Sequence, residues 1–190
     1  MIEKIRNTKE TNIKLNLEIY GNGKAEISTK IGFFDHMLNA FTKHSLIDLK
    51  LRCNGDLEVD SHHSVEDCGI VLGEAIACEI YPIKNIERYA NATVVMDETA
   101  VECVLDLGGR AFLFYNGLKN GQIGEFDAEL IEEFFRALAF NAKITLHINL
   151  LRGSNKHHIA EATFKAFAIA FRRALTINEK IGIPSTKGIL

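Results

Sequence analysis

Apolar and polar residues alternate from Ile13 through Leu15 and Leu17 to Ile19, and again from Val101 through Cys103 and Leu105 to Leu107. This is the two-residue period of a strand with one buried face. Each run opens on Glu-Thr and closes on Gly, as ETNIKLNLEIYG from Glu10 and ETAVECVLDLGG from Glu98, 88 residues apart. Two longer segments show the helical period instead. One carries Val65, Cys68, Val71, Leu72, Ala75 and Ile76; the other carries Ile159, Ala162, Phe164, Phe167, Ala168 and Phe171. Both open on His-His, as HHSVEDCGIVLGEAI from His62 and HHIAEATFKAFAIAF from His157. Between strand and long helix, FFDHMLNAF from Phe33 answers FFRALAFNA from Phe134. The spacing of matched segments drifts from 88 to 101 and back to 95, as loop insertions and deletions produce in two copies of one unit.

The pattern therefore predicts a single domain over 1–190 built of two repeats, about 1–91 and 92–190, joined near Asn91. Each copy holds two or three strands, a helix from its Phe-Phe pair, a strand (Ile47 to Cys53; Thr145 to Leu151) and a long helix opened by His-His. Strands with two helices per half predict an α+β fold: a mixed or antiparallel sheet with both helices on one face, twice, about a pseudo-twofold axis. Pro82 stands where it stops the first long helix. Lys119 to Gly124, flanked by Gly117, reads as surface loop.

Composition narrows the class. With 190 residues, 47% of them hydrophobic and 25% charged, the chain can bury an ordinary core without disulfides. Twenty-two Lys and Arg against twenty-five Asp and Glu leave a net charge of -3, which argues against a general nucleic-acid binder. Apolar runs such as Gly69 to Leu72 and Ala166 to Phe171 are far shorter than the roughly 20 residues of a membrane span. The amino terminus, MIEKIRNTKE, has no secretory apolar stretch, and Cys53, Cys68, Cys78 and Cys103 make no C-x-x-C pair. A cytoplasmic location with reduced thiols is the expectation.

Chemistry concentrates in H-H-x-x-E, present twice as His62-His63 with Glu66 and His157-His158 with Glu161. On a helix the first His and the Glu are four apart and share a face. Imidazole plus carboxylate suits a divalent transition ion such as Mn, Fe or Zn. One such motif could be a decorated helix start, but its recurrence in both copies favours two equivalent metal sites. Adjacent helical residues point about 100° apart, so the two histidines of a pair belong to different ions, shared between halves or between subunits. His36, in FFDHML, is a further ligand candidate. Arg88, Arg110 after a Gly-Gly turn, Lys165, Ser185 and Lys187 supply donors that suit a phosphate.

FFDHML at Phe33, DSHHSVEDCGIVLG at Asp60, LDLGGRAFL at Leu105, TLHI at Thr145, NKHHIAEATFKAFA at Asn155 and IPSTKG at Ile183 occur in the order of one family. From about Arg6 onward the chain resembles the imidazoleglycerol-phosphate dehydratase family of histidine biosynthesis, in its monofunctional form. The resemblance implies a lyase that removes water from imidazole glycerol phosphate to give imidazole acetol phosphate, with two Mn2+ ions per active site. It also implies a duplicated fold related to the second domain of ribosomal protein S5, and a homo-oligomer of twenty-four subunits built from trimers, with interfacial sites. Ligands carried over are His36, His62, His63, Glu66, Glu133, His157, His158 and Glu161. Phosphate would be held by Arg88, Arg110, Lys165, Ser185 and Lys187, with Glu10 and His44 lining the substrate. Glu133 stands where many members have His, Ala40 where Gln is common, and Gly108 where the usual turn has Ser. Coordination of both ring nitrogens would stabilise an imidazolate and a diazafulvene-like successor, with Glu161 or Glu10 taking the carbon-bound proton. The competing readings are a protein whose metals only cross-link subunits, a nucleic-acid module, and a metal hydrolase of another phosphorylated small molecule.

Overall fold

In the computed structural model, which describes residues 1–189, the alternating runs are central strands of two like sheets. The first half runs β1 (Ile2–Asn7), β2 (Thr11–Glu18), β3 (Ala25–Ser28), α1 (Gly32–Ser45), β4 (Asp48–Gly55) and α2 (His62–Ile80). The second runs β5 (Tyr89–Met96), β6 (Thr99–Asp106), β7 (Phe112–Asn116), a hairpin of β8 (Gln122–Ile123) and β9 (Phe126–Asp127), then α3 (Glu129–Ala142), β10 (Thr145–Arg152) and α4 (Lys156–Ala174). The sheet orders are β1-β2-β4-β3 and β5-β6-β10-β7. In each, the first three strands are antiparallel and the edge strand, β3 or β7, lies parallel to its neighbour. A helical crossover is what lets sequential parallel strands pair, and α1 and α3 are those crossovers.

Ile13, Leu15 and Leu17 of β2, and Val101, Cys103 and Leu105 of β6, point inward and are buried. Helices cover that inner face of each sheet, and the halves meet helix to helix, α2 on α3 and α1 on α4, giving sheet, helices, sheet. The chain crosses between halves over Tyr81–Arg88, and the segment after α4 returns to that crossing through an Ile86–Ile177 bridge. Pro82 does follow the end of α2. The stretch from Lys119 to Gly124 is exposed as expected, but it is not all loop: β8 pairs there with β9.

One register differs from the sequence expectation. Helices α1 and α3 end on Ser45 and Ala142, each followed by a left-handed residue, Leu46 and Lys143, so the offset between them is 97 (142 less 45). Phe33 therefore corresponds to Leu130, not to Phe134. A helix shifted by one turn presents nearly the same apolar stripe, which is why the Phe-Phe pairs align four residues out of place. On the corrected register His36 of α1 corresponds to Glu133 of α3.

The two helix–helix seams have diverged. Cβ atoms placed on Gly69 and Gly73 of α2 would lie 2.8 Å from the Phe134 carbonyl oxygen and 2.7 Å from that of Leu138, so α2 rides directly on the α3 backbone. The matching positions of α4, 95 residues on, are Phe164 and Ala168. On α4 Phe167 stacks on Phe41 of α1 at 5.3 Å and Phe164 on Phe134 of α3 at 5.4 Å, so aromatic rings stand where α2 has glycine. Gly73→Ala is expected to cost about 1–3 kcal/mol by overpacking, because the atoms it would meet are two backbone atoms of α3 and the Asn141 Cβ fixed to that backbone, which cannot yield. Chemical denaturation would show it as a lower midpoint with unchanged slope.

Candidate functional site

At the start of α4 the Asn155 side chain accepts the backbone N–H groups of His157 and His158, at 2.9 and 3.2 Å. This cap places both histidines in the first turn. Their rings then diverge: the centroids are 6.4 Å apart at 85°, and those of His62 and His63 are 6.3 Å apart at 84°. His157 turns to Glu161, with Nε2 3.1 Å from Oε2, and His36 reaches the same oxygen at 3.3 Å. Lys165 pairs with the other oxygen at 2.6 Å. Burial pushes the Glu161 carboxyl up, but the Lys165 ammonium and the two imidazoles outweigh it and hold it below the ordinary carboxylate range.

Ligand atoms of His36, His157 and Glu161 all lie within 4.8 Å of one another, the only such group of three among the described residues. Two imidazoles and a carboxylate fit Mn, Fe or Zn by donor type. In the first half the counterpart is looser. His62 and Glu66 stand 3.9 Å apart, and Glu133 is turned toward Arg136 at 3.5 Å.

His63 and His158 point elsewhere. Nδ1 of His63 meets the Asp56 carboxylate at 3.0 Å, and Nδ1 of His158 meets Glu98 at 2.8 Å. Nε2 of His63 faces the exposed Glu10 at 3.8 Å. Asp56 and Glu98 were not among the sequence candidates. Glu98 could have been found as the repeat counterpart of Glu10; Asp56 sits in a loop with no counterpart acid and carries no signal. His44 lies half-buried on α1, where burial first, then the charges of Lys165 and Arg172, lower its pKa.

The phosphate candidates divide. Arg88, Arg110, Ser185 and Lys187 line one cavity of about 730 Å³ with Tyr89 and Pro184. Arg110 lies at its edge with a side chain 77% exposed, 3.6 Å from the Asp106 carboxylate. Arg88 is buried and committed: Nε and Nη2 donate to Asp106 at 2.6 and 3.0 Å, and Nη1 donates to the Pro184 carbonyl at 2.6 Å. It thus anchors the segment that carries Ser185 and Lys187. Lys165 is not in this cavity; it belongs to the Glu161 cluster. The cavity lies at the far end of α4, because the Arg88 backbone N–H bonds the Ala174 carbonyl. From Glu161 to Ala174 the helix axis advances about 20 Å.

The sequence profile described as imidazoleglycerol-phosphate dehydratase matches residues 29–171. The imidazoleglycerol-phosphate dehydratase of Campylobacter hominis is 67% identical over 190 residues, all of both chains, and that of Campylobacter fetus subsp. fetus is 65% identical over the same span. The chain belongs to the imidazoleglycerol-phosphate dehydratase family. Among solved structures, the dehydratase of Staphylococcus aureus superposes with a TM-score of 0.82 at 41% identity, covering 93% of this chain and 98% of that one. The Pyrococcus furiosus protein, in complex with (S)-C348, gives 0.83 at 36% identity, covering 98% and 100%. The duplicated α+β fold of this dehydratase family is thus the fold seen here.

Two departures from the family pattern can be placed on this frame. Ala40 lies one helical turn beyond His36 on α1 and offers only a methyl group there. At Gly108 an added Cβ would come within 2.6 Å of Arg88 Nη2 and of Asp106 Oδ2; glycine there leaves the ion pair its space.

Proposed function

We propose that the protein converts imidazole glycerol phosphate to imidazole acetol phosphate and water in histidine biosynthesis, as a cytoplasmic Mn2+-dependent hydro-lyase with two ions per active site. The two repeats form one catalytic unit. The observation that carries this reading is the His36–His157–Glu161 cluster in a chain of this family. His36, His157 and Glu161 would hold one ion; His62, Glu66 and Glu133 would contribute to the second. When bound, such an ion supplies a Lewis acid that withdraws electron density from the imidazole ring.

The chain's own residues then divide the work. Arg110, Ser185 and Lys187 bind the phosphate, with Arg88 holding their segment in place. Both Glu161 oxygens are engaged by His36, His157 and Lys165, whereas among the described residues the Glu10 carboxylate faces only His63. Glu10 is therefore the better base for the carbon-bound proton. The hydroxyl leaves with a proton as water, and the resulting enol regains a proton at carbon to become the ketone.

A substrate made of one imidazole ring, three carbons and a phosphate spans under about 10 Å. It cannot bridge the roughly 20 Å of α4 between cluster and phosphate cavity in one chain. The site is then completed by a second copy, which supports a homo-oligomer with interfacial sites, twenty-four subunits built from trimers. The outer face of the second sheet supports it as well. Val104, Phe112 and Phe114 are exposed there around His147, at positions that in the first sheet hold Asn16, Lys24, Glu26 and Lys50. An apolar sheet face against a polar counterpart marks a surface covered by another copy. Phe114→Asp is expected to shrink the particle in light scattering, while the isolated chain stays folded by circular dichroism.

The function is tested by stripping the protein with chelator and following ketone formation with and without Mn2+ while sizing the particle. Turnover that appears only with Mn2+, together with growth to a large species, is the expected result. Assembly without turnover would leave metals that only cross-link subunits. No helix among the described residues is long and apolar enough to cross a membrane.

A further inference from the structure

The histidines that turn away from the helical clusters are each held by a carboxylate outside the H-H-x-x-E pattern. Asp56 approaches His63 Nδ1 with both oxygens, at 3.0 and 3.2 Å, and Glu98 approaches His158 Nδ1 with Oε2 at 2.8 Å. A carboxylate offers only acceptors, so the hydrogen of each neutral ring lies on Nδ1 and the free lone pair on Nε2. That is the form in which Nε2 can bind a metal. Among the described residues neither Nε2 belongs to a cluster of three ligand groups: Glu10 stands 3.8 Å from that of His63 and Asp97 3.9 Å from that of His158.

The two carboxylates are not repeat counterparts. Glu98 occupies the position of Glu10, 88 residues on, yet it is locked. Its Oε1 accepts the backbone N–H groups of Ser154 and Asn155, at 3.1 and 2.8 Å, and the Thr99 hydroxyl at 3.0 Å. In the first half the task of holding the histidine has passed to Asp56, whose carboxylate accepts no hydrogen bond besides that of His63 among the described residues. Glu10 is thereby left free to face outward.

We propose that Asp56 and Glu98 are positioning residues: each fixes its histidine with Nε2 unprotonated, ready to complete a metal site on a neighbouring subunit. The inference rests on the metal-dependent, interfacial reading above. The unequal anchoring of the two acids gives it a consequence that simple loss of charge or packing does not share. In Glu98→Gln the amide oxygen must stay on the two backbone N–H donors, so the amide NH2 faces His158 Nδ1. The ring hydrogen is then driven to Nε2, and the ligand is lost. In Asp56→Asn nothing holds the amide, which turns its oxygen to His63 and preserves the ligating form.

The test uses the full chain, stripped of metal and titrated with Mn2+, with free ion counted by electron paramagnetic resonance and turnover measured against Mn2+ concentration. For Glu98→Gln the Mn2+ half-saturation is expected to rise about 10–100-fold, the range typical of altered support around a metal ligand, with turnover recovering at high Mn2+. For Asp56→Asn the shift should stay below about threefold. Glu98→Ala, which removes the holder without imposing the wrong form, should weaken Mn2+ less than Glu98→Gln does, and it serves in place of Glu98→Gln should that variant not fold: a shift as large as 100-fold there would count against the proposal. Metal-free thermal unfolding identifies the folded variants. Equal shifts for Glu98→Gln and Asp56→Asn, or no shift in either, overturn the proposal while leaving the dehydratase reading intact. A wild-type protein that binds no Mn2+ overturns both.

Discussion

Glu161→Gln is expected to lower turnover about 10³-fold, the scale of losing a preorganised charged group from a reacting centre, and to remove one Mn2+ per site at micromolar metal. Glu161 is 8% exposed, and its carboxylate is the meeting point of three groups. Lys165 sits on Oε1 at 2.6 Å, while His36 and His157 converge on Oε2. An amide cannot serve both sides as an acceptor. The Lys165 ammonium has only hydrogens to give, so it retains the amide oxygen, and the NH2 group turns toward the two imidazoles. The anionic ligand atom is thereby replaced by a donor in the middle of the cluster. Size and hydrogen-bonding capacity are nearly conserved, so the variant should fold. Metal content by mass spectrometry and turnover at saturating Mn2+ check the prediction. Wild-type metal content with wild-type turnover would remove Glu161 from the site.

Much of the fold was legible because both periods are governed by burial. Ile13, Leu15 and Leu17 alternate because one sheet face is covered, and the doubled His-His pairs mark two helix starts that Asn155 and Asp60 side chains help to set. The misplaced Phe33–Phe134 match shows the limit: a 3.6-residue period looks alike after one turn, and only the helix ends separate the two registers. The cluster of His36 with His157 and Glu161 joins α1 to α4 across 125 positions, a contact suggested by composition and repeat but fixed by packing. Asp56 was invisible because an acid that supports a histidine has no spacing rule of its own, and Glu98 was legible only as the repeat counterpart of Glu10. The division of the phosphate candidates was equally hidden. Arg88 and Lys165 are alike as cations, yet one is spent on Asp106 and Pro184 and the other on Glu161.

The distance between the two ends of α4 leads to an expected result that neither end would produce alone. Glu161→Gln disables the metal cluster of its chain but leaves the phosphate cavity at the other end of the helix untouched. Arg110→Ala does the reverse: it removes the exposed guanidinium from the cavity lined by Ser185 and Lys187 while the His36–His157–Glu161 cluster stays intact. Each variant alone should be nearly inactive at ordinary substrate concentration, the first through turnover and the second through a KM raised by about two orders of magnitude for a lost charge-assisted pair. Mixed, stripped of metal and reassembled with Mn2+, they should regain activity. A site that takes its cluster from an Arg110→Ala chain and its cavity from a Glu161→Gln chain contains no altered residue. Random equal mixing makes about a quarter of the sites of this kind if two chains build each site, and fewer if three do. Recovery of a tenth to a quarter of wild-type turnover, absent when the variants are mixed without disassembly, is the expected outcome. No recovery from particles shown by mass spectrometry to contain both chains would mean that one chain supplies cluster and cavity to the same site, and the 20 Å along α4 would then have to be closed by a rearrangement of the chain itself.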